Sequence, residues 1–153
     1  MINCKTMLKK ILLVLLVVLV IMQFFRIDKT NPSYPAEQDF LTVENVDHKV
    51  AEIIKYACYD CHSYETIYPW YSNFAPASWI IKNHIDEGRE EMNFSEWSTY
   101  KQKQKSHKLE ECYELVSEGE MPLKGYAVMH SKANLSDKQR ALLVEWFKNA
   151  SRH

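Results

Sequence analysis

The hydrophobic pattern of the chain changes once, close to residue 26. Residues 11–25 are apolar almost without interruption. Beyond them, apolar residues recur every three or four positions between polar ones, which predicts amphipathic helices packed around a core. No stretch alternates convincingly between apolar and polar residues, so no strand is predicted. The pattern therefore predicts an all-α fold.

The periodic part predicts four helices. The last has the clearest start, because Ser136 is a good N-cap and Gln139 is placed to return the hydrogen bond of a capping box. The third is expected to end at Gly119, since glycine is common where helices end. The four predicted helices run from about Asn45 to Cys58, from about Pro76 to Met92, in two pieces from Ser95 to Gly119, and from Ser136 onward.

The apolar run predicts a single transmembrane helix at residues 9–25, after a short cytoplasmic N-terminus at residues 1–8. A proline-containing linker follows at 26–41, and the folded domain occupies 42–153. Because Lys5, Lys9 and Lys10 precede the run, the positive-inside rule places the domain across the membrane, in the periplasm of a bacterium. No Ala-x-Ala-like site follows, which favours an uncleaved inner-membrane anchor over a signal peptide.

Composition supports the helical prediction and excludes one class of partner. Three glycines and five prolines are few for a turn-rich β fold. Residues 1–30 contribute +4 to a net charge of −1, so the rest of the chain carries −5. An acidic domain is a poor match for nucleic acid, whose phosphates attract basic surfaces.

The candidate chemistry lies in the pentad Cys58-Tyr59-Asp60-Cys61-His62. Cys-x-x-Cys-His is the sequence signal of c-type haem attachment. Two thiols add to the vinyl groups of one porphyrin, and the histidine that follows binds the iron. The motif predicts one haem c, held covalently through Cys58 and Cys61, with His62 as an axial ligand.

Three other interpretations of the pentad are open. A structural zinc site needs a second ligand pair, whereas the remaining cysteines, Cys4 and Cys112, stand alone. A thioredoxin-like dithiol opens a helix, but this motif is predicted to follow one. A Cys58–Cys61 disulfide suits an oxidising compartment but leaves the neighbouring histidine unexplained.

The sixth iron ligand is predicted to be Met121, because methionine with histidine is the usual pair in c-type cytochromes. Met121 lies in the stretch Gly-Glu-Met-Pro-Leu, between a predicted helix end and a proline. His130 is the alternative ligand, and an empty sixth position is the third option. Met129 is expected to pack against the last helix. The other residues weighed were Met92, His84 and His107.

Six aromatic residues fall between Tyr64 and Trp79. A cluster of this kind is usually core, and here the core would include the porphyrin. The members are Tyr64, Tyr68, Trp70, Tyr71, Phe74 and Trp79.

Three stretches resemble the bacterial haem-binding-domain family of small, usually membrane-anchored, cytochrome c-like proteins. They are ACYDCHSYET with YPWYSNFAPASW, NFSEW, and GEMPLKGYAVMHSKANLSD. The resemblance covers about residues 43–150. It implies a cytochrome c-like helical fold, haem bound to Cys58 and Cys61, and His62 as axial ligand.

The expected function is one-electron transfer by a membrane-anchored periplasmic monohaem cytochrome. Such a carrier is not an enzyme and exchanges electrons with redox partner proteins, which the sequence does not identify. The alternative is a haem-based ligand sensor or peroxidase-like protein with an open sixth position on the iron. A third class is an interaction domain without haem, closed by a disulfide.

Overall fold

A computed structural model describes residues 4–152 of the 153-residue chain. The described part is built of helices and contains no strand, which confirms the all-α prediction. Three short 3-10 helices cover Ala36–Gln38, Trp70–Asn73 and Phe94–Thr99. The α-helices are α1 (Cys4–Met22), α2 (Phe40–Val43), α3 (His48–Ala57), α4 (Tyr59–His62), α5 (Ala77–Glu91), α6 (Gln102–Glu118), α7 (Lys124–Met129) and α8 (Asp137–Ala150).

The chain divides into two compact units. The first contains the described residues up to Thr30 together with Tyr68–His84. The second contains Asn31–Ile67 and the described residues from Ile85 onward. Helix α5 contributes its first half to the first unit and its second half to the second unit. The pentad and Met121 both belong to the second unit.

Helix α1 carries the apolar run that was predicted to cross a membrane. Within the described residues, no helix combines the length and the apolar character that a membrane span requires. The predicted transmembrane helix at residues 9–25 is therefore wrong. A span needs roughly 20 consecutive apolar residues. Helix α1 ends at Met22, and Lys9 and Lys10 lie within it, so its uncharged part is shorter than that.

In the first unit, hydrogen bonds connect the residues just after α1 to Ala75 and to Trp79 at the start of α5. The side-chain amide of Gln23 donates to the carbonyl of Ala75 and accepts from its N–H, both at 3.0 Å. The indole of Trp79 donates to the carbonyl of Phe25 at 2.8 Å. Trp70 is 71% exposed and Phe74 is 56% exposed. Trp79 is also exposed, and the three tyrosines of the cluster are only half-buried. The expectation that the aromatic cluster forms core is therefore wrong.

The second unit has one hydrophobic core, between α3, α6, α8 and the 3-10 helix Phe94–Thr99. Trp97 lies at its centre, fully buried, and its indole N–H donates to Glu44 at 2.6 Å. The rings of Phe40 and Trp97 meet edge to face at 4.8 Å, a favourable aromatic geometry. On α8, Leu143 and Phe147 are buried, as the periodicity predicted. Other large buried side chains of this core are Phe94, Ile54, Leu109 and Val50.

The ends of the helices follow the capping signals. The Ser136 hydroxyl accepts from the N–H of Gln139, and the Gln139 side chain accepts from the N–H of Ser136, which confirms the capping box. Gly119 ends α6 with φ of 74°, a left-handed conformation that glycine adopts without strain. Helix α3 begins at His48 because the Asp47 carboxylate caps it.

Candidate functional site

The pentad forms one helical turn directly after α3. The carbonyl of Cys58 accepts hydrogen bonds from the N–H groups of Cys61 and His62, at 3.2 and 3.0 Å. Residues three apart on a helical turn lie on the same side. The turn therefore presents Cys58 and Cys61 together. Both are free thiols, as is Cys112.

Buried polar contacts fix the turn in place. The hydroxyl of Ser63 donates to the carbonyl of Tyr59 at 2.7 Å, so the turn is closed just after His62. The hydroxyl of Tyr59 donates to the buried carboxylate of Asp39 at 3.0 Å. The guanidinium of Arg89 donates to the carbonyl of Ser63 at 2.8 Å. Residues of two other segments, Asp39 and Arg89, therefore hold the chain just before and just after His62.

Helix α5 packs against the turn through Gly88. A Cβ atom placed on Gly88 would lie 2.8 Å from the carbonyl oxygen of Cys61 and 3.2 Å from its carbonyl carbon. Only glycine allows the two backbones to come this close. The sequence analysis missed this residue. Its signal was an isolated glycine in the middle of a helical pattern, which often marks close packing.

The imidazole of His62 is oriented by a backbone carbonyl. Its Nδ1 lies 3.1 Å from the carbonyl oxygen of Met92. A carbonyl can only accept, so Nδ1 carries the proton and Nε2 keeps its lone pair. Burial lowers the pKa of His62, which favours the neutral ring. A neutral imidazole with a free Nε2 is the form that binds a metal.

An apolar cavity of about 90 Å³ lies beside His62. Met121 and Cys58 line it together with His62, so the structure brings three of the four predicted site residues to one cavity. Cys61 is not part of its lining, and neither is His130. The other lining residues are Ala57, Met92, Phe94, Lys108, Glu111, Cys112, Leu115, Val116, Pro122 and Phe147.

Met121 is held at the cavity by its own backbone. Its N–H donates to the carbonyl of Leu115 at 3.1 Å, at the end of α6. Its carbonyl accepts from the guanidinium of Arg140, on α8, at 3.1 Å. The sequence analysis missed Arg140, and an arginine among surface positions of an amphipathic helix gave no signal.

The other two candidates in this segment lie away from the cavity. Met129 is 60% exposed, so the prediction that it packs against the last helix is wrong. His130 stacks on the ring of Tyr126, with centroids 3.9 Å apart and planes 10° apart. Met92 does line the cavity, where its sulfur lies 3.7 Å from the sulfur of Cys112.

The two motif thiols are held in the protonated form. Burial, and next the neighbouring Cys61 thiol, raises the pKa of Cys58 to about 12. Burial, and next the Asp60 carboxylate, raises the pKa of Cys61 to about 11. The ordinary value is 9.0, so the folded state opposes ionisation and loses stability relative to the unfolded state as pH rises from about 9 to about 12.

Slow alkylation of these thiols is therefore expected in the folded, haem-free protein. Since only the thiolate reacts, iodoacetamide at pH 8 should label Cys58 and Cys61 at least about 100-fold more slowly than in urea. Peptide mass mapping at timed intervals measures each cysteine separately. Equal rates with and without urea would show that the folded state does not protect the two half-buried thiols.

Comparison with known proteins identifies the family. The sequence model of the family described as haem-binding domain matches residues 17–149. The chain belongs to the haem-binding domain family. Neither the search of curated proteins nor the search of solved structures gave a match. Haem is accordingly the cofactor of this haem-binding domain, and the resemblance seen in the sequence is confirmed.

The donor atoms of this haem-binding domain suit a haem. Two free thiols share one turn, His62 presents an unprotonated Nε2, and the sulfur-bearing Met121 lines the same apolar cavity. Ligand pockets usually measure roughly 300–1,000 Å³, several times the 90 Å³ found here. The cavity walls must therefore move apart to admit a porphyrin.

The geometry gives the competing interpretations of the pentad little support. Among the described residues, no group of three or more His, Cys, Asp or Glu side chains is arranged to hold a metal ion, as a zinc site would need. Cys58 and Cys61 are free, not joined in a disulfide. The turn follows α3 and does not open a long helix, unlike a thioredoxin-like dithiol.

Proposed function

We propose that this haem-binding domain is a monohaem c-type cytochrome that carries single electrons between redox partner proteins. The observation that carries the proposal is the hydrogen bond from His62 Nδ1 to the Met92 carbonyl. His62 belongs to the same turn as both cysteines. In the neutral ring this hydrogen bond leaves the lone pair of Nε2 to bind iron. Haem supplies an iron that alternates between the ferric and ferrous states.

In this proposal Cys58 and Cys61 are the covalent attachment points. Each thiol adds across one vinyl group of the porphyrin, forming a C–S bond while its proton goes to the other vinyl carbon. The reaction needs no net oxidant. The export that such attachment implies places the domain outside the cytoplasm of a bacterium. The unidentified donor and acceptor are redox proteins.

Met121 is the proposed sixth ligand. Its thioether lines the same cavity as the His62 ring, and two backbone hydrogen bonds fix the segment that carries it. A thioether is a soft, neutral ligand that favours ferrous iron and raises the reduction potential. The lining is mostly apolar, which favours a thioether over water at the iron. These features suit electron transfer better than ligand activation.

Covalent attachment is tested by the colour of the denatured chain. The full-length protein is produced in a host that matures haem c, and its absorption spectrum is recorded before denaturing electrophoresis and haem staining. We expect the stain to stay with the chain and to be lost in the Cys58→Ser, Cys61→Ser double variant. Cys112→Ser is the matched control, because Cys112 also lines the cavity but lies outside the motif.

Two outcomes would change the proposal. If the haem separates from the denatured wild-type chain, attachment is not covalent and the domain is not a c-type cytochrome. If the haem stays but the ferrous iron of the wild-type protein binds carbon monoxide readily, the sixth position is open, and the sensor or peroxidase-like class replaces the electron carrier.

A further inference from the structure

Asp60 lies between Cys58 and Cys61 in the turn at residues 58–62, here called the attachment turn. Its carboxylate accepts two hydrogen bonds. One oxygen, Oδ1, accepts from the backbone N–H of Ile67 at 2.7 Å. The other, Oδ2, accepts from the hydroxyl of Tyr126. The Ile67 hydrogen bond restrains the carboxylate through one oxygen and leaves the other to accept from Tyr126. The attachment turn therefore offers Tyr126 a restrained acceptor.

Tyr126 belongs to α7, which begins just after Met121. Its ring is half-buried and stacks on His130 at 3.9 Å. The stacking orients the phenol, so its hydroxyl reaches a residue 66 positions earlier in the sequence. The hydrogen bond thus joins the segment of the proposed sixth ligand directly to the turn that carries the haem.

The segment around Met121 is consequently held at both ends. On its amino side, hydrogen bonds from the Met121 N–H and from Arg140 fasten it to α6 and α8. On its carboxyl side, Tyr126 fastens it to the attachment turn. The hydrogen bonds of Met121 thus fix the segment to α6 and α8. The hydrogen bond from Tyr126 fixes it relative to His62, which lies two residues beyond Asp60.

We propose that Tyr126 and Asp60 form a latch that holds Met121 at the sixth position of the iron and sets how readily an outside ligand displaces it. The latch rests on the proposed function, since it assumes that Met121 binds iron. A phenol bonded to a carboxylate is charge-assisted and stronger than a neutral hydrogen bond. Tyr126 is a positioning residue, because it acts through Met121 and does not touch the iron itself.

The test removes one oxygen atom from the latch. In the haem-loaded full-length protein, Tyr126→Phe keeps the aromatic ring but loses the hydrogen bond. We expect imidazole to bind the ferric iron roughly tenfold more tightly, as the loss of one charge-assisted hydrogen bond would produce. The weak near-red sulfur-to-iron absorption band should decrease in parallel. Circular dichroism should not change.

Tyr34→Phe is the matched control. It removes the same atom from another phenol, which contacts the carboxylates of Glu65 at 2.5 Å and Asp39 at 3.2 Å. Asp39 keeps its hydrogen bond from Tyr59, so the turn is still held in this variant. Its imidazole affinity should equal that of the wild-type protein. A tenfold gain in this control as well would overturn the latch, because the effect would then follow from general loosening.

A double-mutant cycle with Asp60→Asn shows whether the two residues act together. If they form one latch, the effects of Tyr126→Phe and Asp60→Asn on imidazole affinity are not additive. Fully additive effects would overturn the latch, and so would a wild-type affinity in Tyr126→Phe.

Met121→Ala separates the two proposals. If this variant also leaves the imidazole affinity and the near-red band unchanged, Met121 is not the ligand and the proposed function fails at this point.

Discussion

Replacing Met121 with alanine is expected to open the iron to carbon monoxide and to lower the reduction potential. In the proposed ligation the thioether is a soft ligand that favours the ferrous state, so its loss would remove that preference. Axial ligands set haem potentials over about 0.8 V, and we expect the change to be a sizeable part of that range. Redox titration of the haem-loaded protein and its ferrous carbon monoxide spectrum measure both effects.

Met129→Ala is the matched control for this experiment. Met129 lies in the same segment, but it is exposed and does not line the cavity. Its replacement should leave the potential and the spectra unchanged. If Met121→Ala also leaves them unchanged, the assignment of Met121 as the sixth ligand is wrong.

Met92 is the competing ligand that the structure brings to the cavity. Its position argues for a different role. The Met92 carbonyl accepts from His62 Nδ1, the ring nitrogen on the other side from the Nε2 that is proposed to bind iron. The Met92 backbone therefore lies behind the His62 ring. A carbon monoxide adduct in Met92→Ala but not in Met121→Ala would reverse this assignment.

The helices could be predicted because their signals are local. Ser136 with Gln139, and Gly119 at the end of α6, mark helix ends through contacts within a few residues. The same holds for the attachment turn, since two cysteines and a histidine at fixed spacing are a short-range pattern. Local hydrogen bonding and local spacing are the information that one sequence displays directly.

The environment of the turn could not be predicted, because it depends on residues far apart in the chain. The Met92 carbonyl that orients His62 is a backbone group and leaves no mark on the sequence. Tyr126, which reaches Asp60, resembles any other tyrosine on a short helix. Such contacts follow from how the helices pack, and the hydrophobic period constrains packing only loosely.

The membrane prediction failed for a different reason. It counted residues 9–25 as one span, although the helix ends at Met22 and holds Lys9 and Lys10 near its start. A count of apolar residues along a sequence does not reveal where the helix stops. The length that decides a span is the length of the helix itself.

Replacing Gly88 with alanine is expected to destabilise the second unit and to reduce the yield of haem attachment. Alanine favours a helix over glycine by about 1 kcal/mol, which alone would stabilise α5. The added methyl group would lie 2.8 Å from the Cys61 carbonyl oxygen, and a backbone atom cannot turn aside as a side chain can. Overpacking of this kind costs about 1–3 kcal/mol.

We expect the overpacking to exceed the helix gain, for a net loss of up to about 2 kcal/mol. The Cys61 carbonyl must move, and the Cys61 thiol moves with it, so fewer chains retain haem after denaturing electrophoresis. Urea unfolding followed by circular dichroism gives the stability. Gly125→Ala is the matched control, because a Cβ atom there meets nothing within 4 Å. Only the helix gain applies to that variant, so equal stability changes at Gly88 and Gly125 would show that α5 does not press on the attachment turn.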